Sequence, residues 1–239
     1  MAFRTPWPCR LFLFDLDGTL IDSKSDIAAS ANLSLRRLGL PELPSARVAD
    51  FVGDGVRKLI HRTLRESTGA EASEEQVGMC VELFLEEYEG HLLDSTHLYA
   101  GVQEALDRLY WARFGIVTNK PERLSRKILE GLGLGSRFCT ILGGDSTPLR
   151  KPDPAPLNEA MARCGATARG TVMVGDSPVD IDAGRAAGVT TCGISGGFRG
   201  REALEAAGCD LIIESISELP VHFCPFGNEE SGVRSQNES

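Results

Sequence analysis

The sequence predicts an α/β protein, a parallel-sheet core of Rossmann-like build carrying an inserted all-helical domain. Three observations support this. Short apolar runs that stop at a polar residue recur along the chain. From residue 96 onward they alternate with helical patterns, and the stretch 23–95 breaks that alternation with helical patterns alone. Strands alternating with helices imply right-handed crossovers and a parallel sheet with helices on both faces.

The first strand is read at 10–15, a continuous apolar run that Asp15 cuts off. Segment 23–95 follows. Ile27, Leu33 and Leu38, and later Val81, Leu83, Phe84 and Leu85, recur at helical spacing, and the turn-rich run 50–56 sits between two helices. Further strands are predicted at 114–118, 139–143, 171–175, 190–194 and 210–213. Helices are predicted at 102–109, 122–132, 154–164, 179–187 and 201–207. The expected organisation is a core from 1–22 and 96–224, a helical domain at 23–95, and a polar, disordered tail at 225–239.

With 239 residues the chain can bury a real core. Its net charge of −9 and lack of a dense Lys/Arg run argue against nucleic acid as a partner, so an anionic ligand must be held by a local site. The 7 cysteines are scattered with no CxxC pair, which argues against a zinc site and fits buried free thiols in a reducing cytoplasm. The apolar run at 11–14 is too short for a signal peptide or a membrane span, and no other span is seen. Oligomeric state is not legible.

Four signals carry chemistry. In Asp15-Leu-Asp-Gly-Thr-Leu, Asp15 and Asp17 point the same way while the chain stays extended, and two such carboxylates call for a cation. Magnesium suits that oxygen-rich site, and Gly18 permits a sharp turn. Thr118-Asn119-Lys120-Pro121 offers a hydroxyl and N–H groups at a strand end, an anion cradle. Lys151, stiffened by Pro152 and Pro154, can supply positive charge. Asp176 ends another apolar run, with Asp180 one helical turn further on. Each of the last three, alone, also fits an ordinary turn or helix cap. Together they all fall at the ends of predicted parallel strands, where open α/β sheets bind ligands.

This set resembles the haloacid dehalogenase superfamily over about 220 residues, with 23–95 similar to its C1 cap. The resemblance implies a magnesium-dependent phosphomonoester hydrolase. Asp15 would attack phosphorus and become an aspartyl phosphate, with Asp17 as general acid and base. Mg2+ would be held by Asp15, the Asp17 carbonyl, Asp176 and Asp180. Thr118 and Asn119 would bind phosphate, and Lys151 would neutralise charge. Within the superfamily the chain most resembles the phosphoglycolate phosphatases, through 15–23, Val52-Gly-Asp-Gly, Thr118-Asn-Lys-Pro and Val174-Gly-Asp-Ser. That implies a small substrate such as 2-phosphoglycolate, with Gly53, Arg57 and Lys120 as candidate contacts. Alternatives are a phosphosugar mutase, another small-molecule phosphatase of the superfamily and, remotely, a non-catalytic phospho-acceptor.

Overall fold

The computed structural model of the chain describes residues 6–227. Strand β1 (Trp7–Cys9) precedes β2 (Leu11–Phe14) and β3 (Ile21–Asp22). Four helices follow, α1 (Lys24–Arg37), α2 (Ser45–Ala49), α3 (Val56–Thr68) and α4 (Glu74–Gly90), and β4 (His97–Leu98) leads back. The alternating part runs α5 (Val102–Arg108), β5 (Arg113–Val117), α6 (Glu122–Gly131), β6 (Thr140–Leu142), α7 (Ala155–Arg163), β7 (Thr171–Gly175) and α8 (Pro178–Ala186). It ends with β8 (Thr190–Ile194), α9 (Gly200–Ala206), β9 (Leu211–Ile213), α10 (Leu219–His222) and β10 (Phe223–Pro225).

Six strands form one sheet in the order β6-β5-β2-β7-β8-β9, and every pairing is parallel. Helices cover both faces, so β2 and β7 are buried along their whole length. Side-chain alternation divides β2 between two cores. Phe12 and Phe14 enter the larger one, and Leu11 and Leu13 pack on the other face with Leu157 and Met161 of α7. Helix α6 shows the same logic at helical period, burying Leu124, Ile128 and Leu129.

The helices α1–α4 leave the core and return to it through two linkers that lie side by side. β3 and β4 pair antiparallel, Ile21 with Leu98 and Asp22 with His97. Asp26, in the first turn of α1, clamps this junction: its carboxylate accepts from Ser95 N–H at 2.9 Å, Thr96 N–H at 2.8 Å and the Thr96 hydroxyl at 2.7 Å. Three hydrogen bonds satisfy a carboxylate that is 3 % exposed.

Two expectations are corrected. The polar tail expected from residue 225 begins later, because Pro225 closes β10, which pairs parallel with β1 (Trp7 with Phe223, Cys9 with Pro225). The next residue, Phe226, lies 4.1 Å beneath the Arg10 guanidinium. The pairing of Pro225 with Cys9 and the contact of the Phe226 ring thus hold the start of a segment that looked merely polar, and residues 228–239 fall outside the described part. The cysteines are not all free either. Cys139, just before β6, is bonded to Cys164 at the end of α7, while Cys9, Cys80, Cys192, Cys209 and Cys224 are free. Their separation of 25 residues carries no motif, and only the packing of α7 beside β6 brings them together.

Candidate active site

Register builds the centre of the site. Phe14 pairs with Ile116 on one side and Val174 on the other, and the Asp15 N–H donates to the Val174 carbonyl at 2.9 Å. Asp15 therefore stands between the carboxyl ends of β5 and β7, where Thr118 and Asp176 follow. It keeps 13 % of its side chain exposed, facing a cleft of about 570 Å³, mouth included, between the sheet and the helices α1–α4.

Lys151 ties the charges together. Its ammonium, 2 % exposed, donates to Asp15 Oδ1 at 2.9 Å and Asp180 Oδ1 at 2.6 Å. Asn119 fixes its main chain, donating Nδ2 to the Lys151 carbonyl at 3.0 Å. Asp180 is equally constrained, since its Oδ2 accepts from the Ser177 hydroxyl at 2.7 Å and the Ser177 N–H at 3.1 Å, closing a capping box on α8. Asp176 accepts from the Phe198 N–H at 2.6 Å and the Thr19 hydroxyl at 3.3 Å. Burial works against the charge on Lys151, but Asp15 and Asp180 outweigh it and hold its ammonium above the ordinary range.

Carboxylate oxygens of Asp15, Asp176 and Asp180 all lie within 4.8 Å of one another. Three carboxylates against one ammonium leave two negative charges where water is scarce. Burial, with Lys151 pulling the other way and Asp180 and Asp17 adding to it, pushes the Asp15 carboxyl to about 6. Burial, then Asp180 and Asp15, raise Asp176 well above the usual range. The donor set, all hard oxygens with an uncompensated charge of two, fits a divalent cation such as Mg2+. The Asp17 carboxylate is not in this trio.

Gly18 is required both for the sharp turn and for close packing. Its φ is +86°, and a Cβ there would collide with the Asp176 carboxylate, 2.7 Å from Cγ. The turn after Asp17 is pressed against the strand end that carries Asp176.

Asp17 faces the other way. It accepts from the Ser23 hydroxyl at 2.5 Å and from Lys120 Nζ at 2.7 and 3.0 Å. Lys120 also donates to the Tyr88 hydroxyl at 2.6 Å. Burial disfavours its charge, yet Asp17 and Tyr88 more than offset that and raise its pKa. Burial pushes the Tyr88 phenol up to about 12, so it stays neutral.

The opposite wall of the cleft is apolar. Ile27, Val52, Val56, Leu59 and Phe84 line it, with Tyr88 as its only polar side chain and Gly53 and Gly55 in the turn before α3. Asp15, Asp17, Thr118, Asn119, Lys120, Lys151, Asp180 and Gly53 thus meet in one cleft, with Asp176 against its floor. Arg57 does not join them. On the outer face of α3 it pairs with Glu74, half exposed, and lines a separate groove with Lys58 and Arg150. It follows the glycine turn in sequence, but the helix rotates it outward. Sequence reasoning also missed Tyr88, Ser23, Phe198 and Arg199. Ser23 lay inside a motif already singled out, whereas Tyr88 looked like one more helical apolar residue.

Arg199 joins the two walls, donating to the carbonyls of Asp50 at 3.2 Å and Val52 at 2.7 Å. Glu89 of α4 reaches the other flank and pairs with Arg123 and Lys127 of α6.

A model of the haloacid dehalogenase-like hydrolase family matches residues 12–194. A phosphoglycolate phosphatase of Chromobacterium violaceum is 39% identical over 208 residues, 86% of this chain and 92% of the relative. One from Vibrio parahaemolyticus is 39% identical over 216 residues, 88% of this chain and 94% of the relative. The crystal structure of a predicted phosphoglycolate phosphatase from Haemophilus somnus 129PT matches with a TM-score of 0.80 at 29% identity, covering 88% of this chain and 96% of that one.

Proposed function

The chain belongs to the haloacid dehalogenase-like hydrolase family, and from that premise we propose that it hydrolyses small phosphate monoesters through an aspartyl phosphate on Asp15, with 2-phosphoglycolate the leading substrate. The observation that carries this reading is Asp15 itself, a carboxylate at the end of the central strand with one face open to the cleft and Lys151 2.9 Å away.

In the proposed first step an Asp15 oxygen attacks phosphorus and the bond to the ester oxygen breaks. Its electron pair stays on that oxygen, which takes a proton from Asp17. In the second step water attacks the aspartyl phosphate and gives its proton to Asp17, releasing phosphate and the free Asp15 carboxylate. Thr118 and the start of the loop after β5 receive phosphate oxygens, and Lys151 offsets their charge. Asp15, Asp176 and Asp180 would hold an Mg2+ ion, which would supply further charge neutralisation. Substrate size is set by the apolar wall: the cleft leaves only about 50 Å³ for water-sized groups, which limits the organic part of the substrate to a short one. The names of the Chromobacterium and Vibrio relatives support 2-phosphoglycolate in particular.

The proposed compartment is the cytoplasm. Among the described residues no helix is long and apolar enough to cross a membrane, and five cysteines are free thiols. The Cys139–Cys164 bond runs against a reducing compartment, and alkylation of the protein purified straight from cells, followed by mass spectrometry, tests whether that pair is bonded there.

The test is phosphate release from 2-phosphoglycolate and from p-nitrophenyl phosphate, with Mg2+ and with EDTA. Turnover should require the metal, and Asp15→Asn should lower kcat by roughly 10⁴-fold or more at an unchanged melting temperature. Activity in Asp15→Asn above a few per cent of wild type removes Asp15 from the role of nucleophile.

A further inference from the structure

Lys120 stands beside the cleft, yet its ammonium is already tied to two partners of this chain, Asp17 and Tyr88. A lysine has three donors. One points at the Asp17 carboxylate, whose oxygens lie at 2.7 and 3.0 Å, and another goes to the Tyr88 hydroxyl at 2.6 Å. The side chain is 4 % exposed and lies 4.6 Å from the Tyr88 ring. Its two observed partners hold it to Asp17, so in this arrangement Lys120 serves Asp17 first.

The second partner comes from the other wall. Tyr88 belongs to the last turns of α4, is 2 % exposed, and stacks on Phe84 with ring centroids 5.4 Å apart. Its neighbour Glu89 pairs with Arg123 and Lys127 on α6, the helix that begins just after Lys120. The end of α4 is thus docked on the loop that carries Lys120 from two sides, one buried and one exposed. Tyr88 is also the one side chain of the helical wall able to hydrogen-bond inside the cleft.

We propose that Tyr88 is a positioning residue for proton transfer: its hydroxyl, brought in only when the helical domain covers the site, holds the Lys120 ammonium against Asp17. Rotation of Lys120 away from Asp17 would break its charge-assisted contact with that carboxylate, and the Tyr88 hydroxyl opposes that rotation. The ammonium then stands where negative charge develops as Asp17 delivers its proton to the leaving oxygen. Docking of the helical domain and readiness of Asp17 become one event, because a buried ammonium proton without an acceptor is costly.

The proposal rests on the hydrolase reading above, and its tests are separable from it. In Tyr88→Phe the ring and its stack on Phe84 remain. For a phosphate ester with a poor leaving group, kcat should fall about tenfold, a fraction of the 10²- to 10⁴-fold due to a whole general acid, with KM within about twofold of wild type. p-Nitrophenyl phosphate, which needs little protonation, should lose much less in single-turnover phosphoryl transfer. In a Lys120→Met background the Tyr88→Phe change should cost nothing further, since the group it positions is gone. An additive loss in the double variant, or a rise in KM at constant kcat, overturns the proposal. A readout free of turnover is reductive methylation of lysines followed by mass spectrometry. Lys120 should be protected in wild type and labelled in Tyr88→Phe, and equal protection overturns the link whether or not the protein proves to be a phosphatase.

Discussion

On the core wall of the cleft, charged groups are held by one another. Lys151 bridges Asp15 and Asp180, Ser177 caps Asp180, and Phe198 and Thr19 hold Asp176. On the helical wall, five aliphatic or aromatic side chains and Tyr88 face the same space, and Tyr88 brings the one hydroxyl among these six. A site that does chemistry on phosphate needs fixed dipoles and charges where charge develops. A wall that only selects and encloses the rest of a small molecule can do so by shape and by excluding water. The two walls should therefore fail differently: damage to the core wall lowers turnover, and damage to the apolar side chains of the helical wall or to its latches changes affinity, with Tyr88, which reaches across to Lys120, on the side of turnover.

The largest break in that comparison beyond loss of the nucleophile is Lys151→Met. It leaves Asp15 and Asp180 without their ammonium in a buried setting. We expect kcat to fall about 10²- to 10³-fold, the range for losing one electrostatic stabiliser, per mole of folded protein. The metal-free protein should lose about 3–5 kcal/mol of stability, the usual cost of breaking a buried ion pair, read by urea denaturation. A loss of kcat below about tenfold would mean that the core wall does not work through this lysine.

Metal binding sharpens the core side. The unfolded chain releases the Asp15 proton near 3.8, whereas the folded metal-free chain holds it to about 6. The contribution of Asp15 is thus fully present below the lower value and is lost as pH rises through the higher one. Asp176 acts in the same direction. A divalent cation competes with those protons, so Mg2+ should raise the melting temperature by several degrees near pH 7.5 and by much less near pH 5. Equal shifts at both pH values would separate the carboxylate trio from the metal.

Arg199→Ala tests the latch between the walls. Two hydrogen bonds from a guanidinium to the carbonyls of Asp50 and Val52 disappear. KM should rise about three- to tenfold with kcat nearly constant, as fits one or two partly exposed charged hydrogen bonds. A fall in kcat at fixed KM would place this latch with the chemistry instead. The smallest effect is expected for Arg57→Ala. Its guanidinium pairs with exposed Glu74 outside the cleft, and such surface pairs are worth about 0–1 kcal/mol. Turnover of 2-phosphoglycolate should stay within about twofold of wild type. A large loss there would return Arg57 to substrate recognition and make the helical wall less passive than its lining suggests.

The core wall was legible in the sequence because its residues sit where apolar strands stop. Asp15, Thr118 and Asp176 each follow a run of buried strand residues, and a strand end is a local fact of the chain. Parallel order then brings those ends to one edge. The second-wall residues had no such marker. Tyr88 and Arg57 both lie on amphipathic helices, where a turn of about 100° per residue decides whether a side chain faces the cleft or the solvent. Nothing near Arg57 in sequence tells that Glu74 waits for it on the outside.

Sequence alone therefore determined the α/β alternation, the helical segment between the first two long strands of the sheet, and the strand-end residues, since all of these follow from periodicity and from polar stops over a few residues. The tertiary structure decided which groups meet. Lys120 reaches Asp17 across 103 positions and Tyr88 across 32, and Lys151 reaches Asp15 across 136. It also decided that Gly18 is pressed against Asp176, that Cys139 lies beside Cys164, and that the chain end pairs with its start through β10 and β1. These are consequences of how helices rotate and sheets register once packed, and such contacts leave no local periodicity in the chain for a sequence to display.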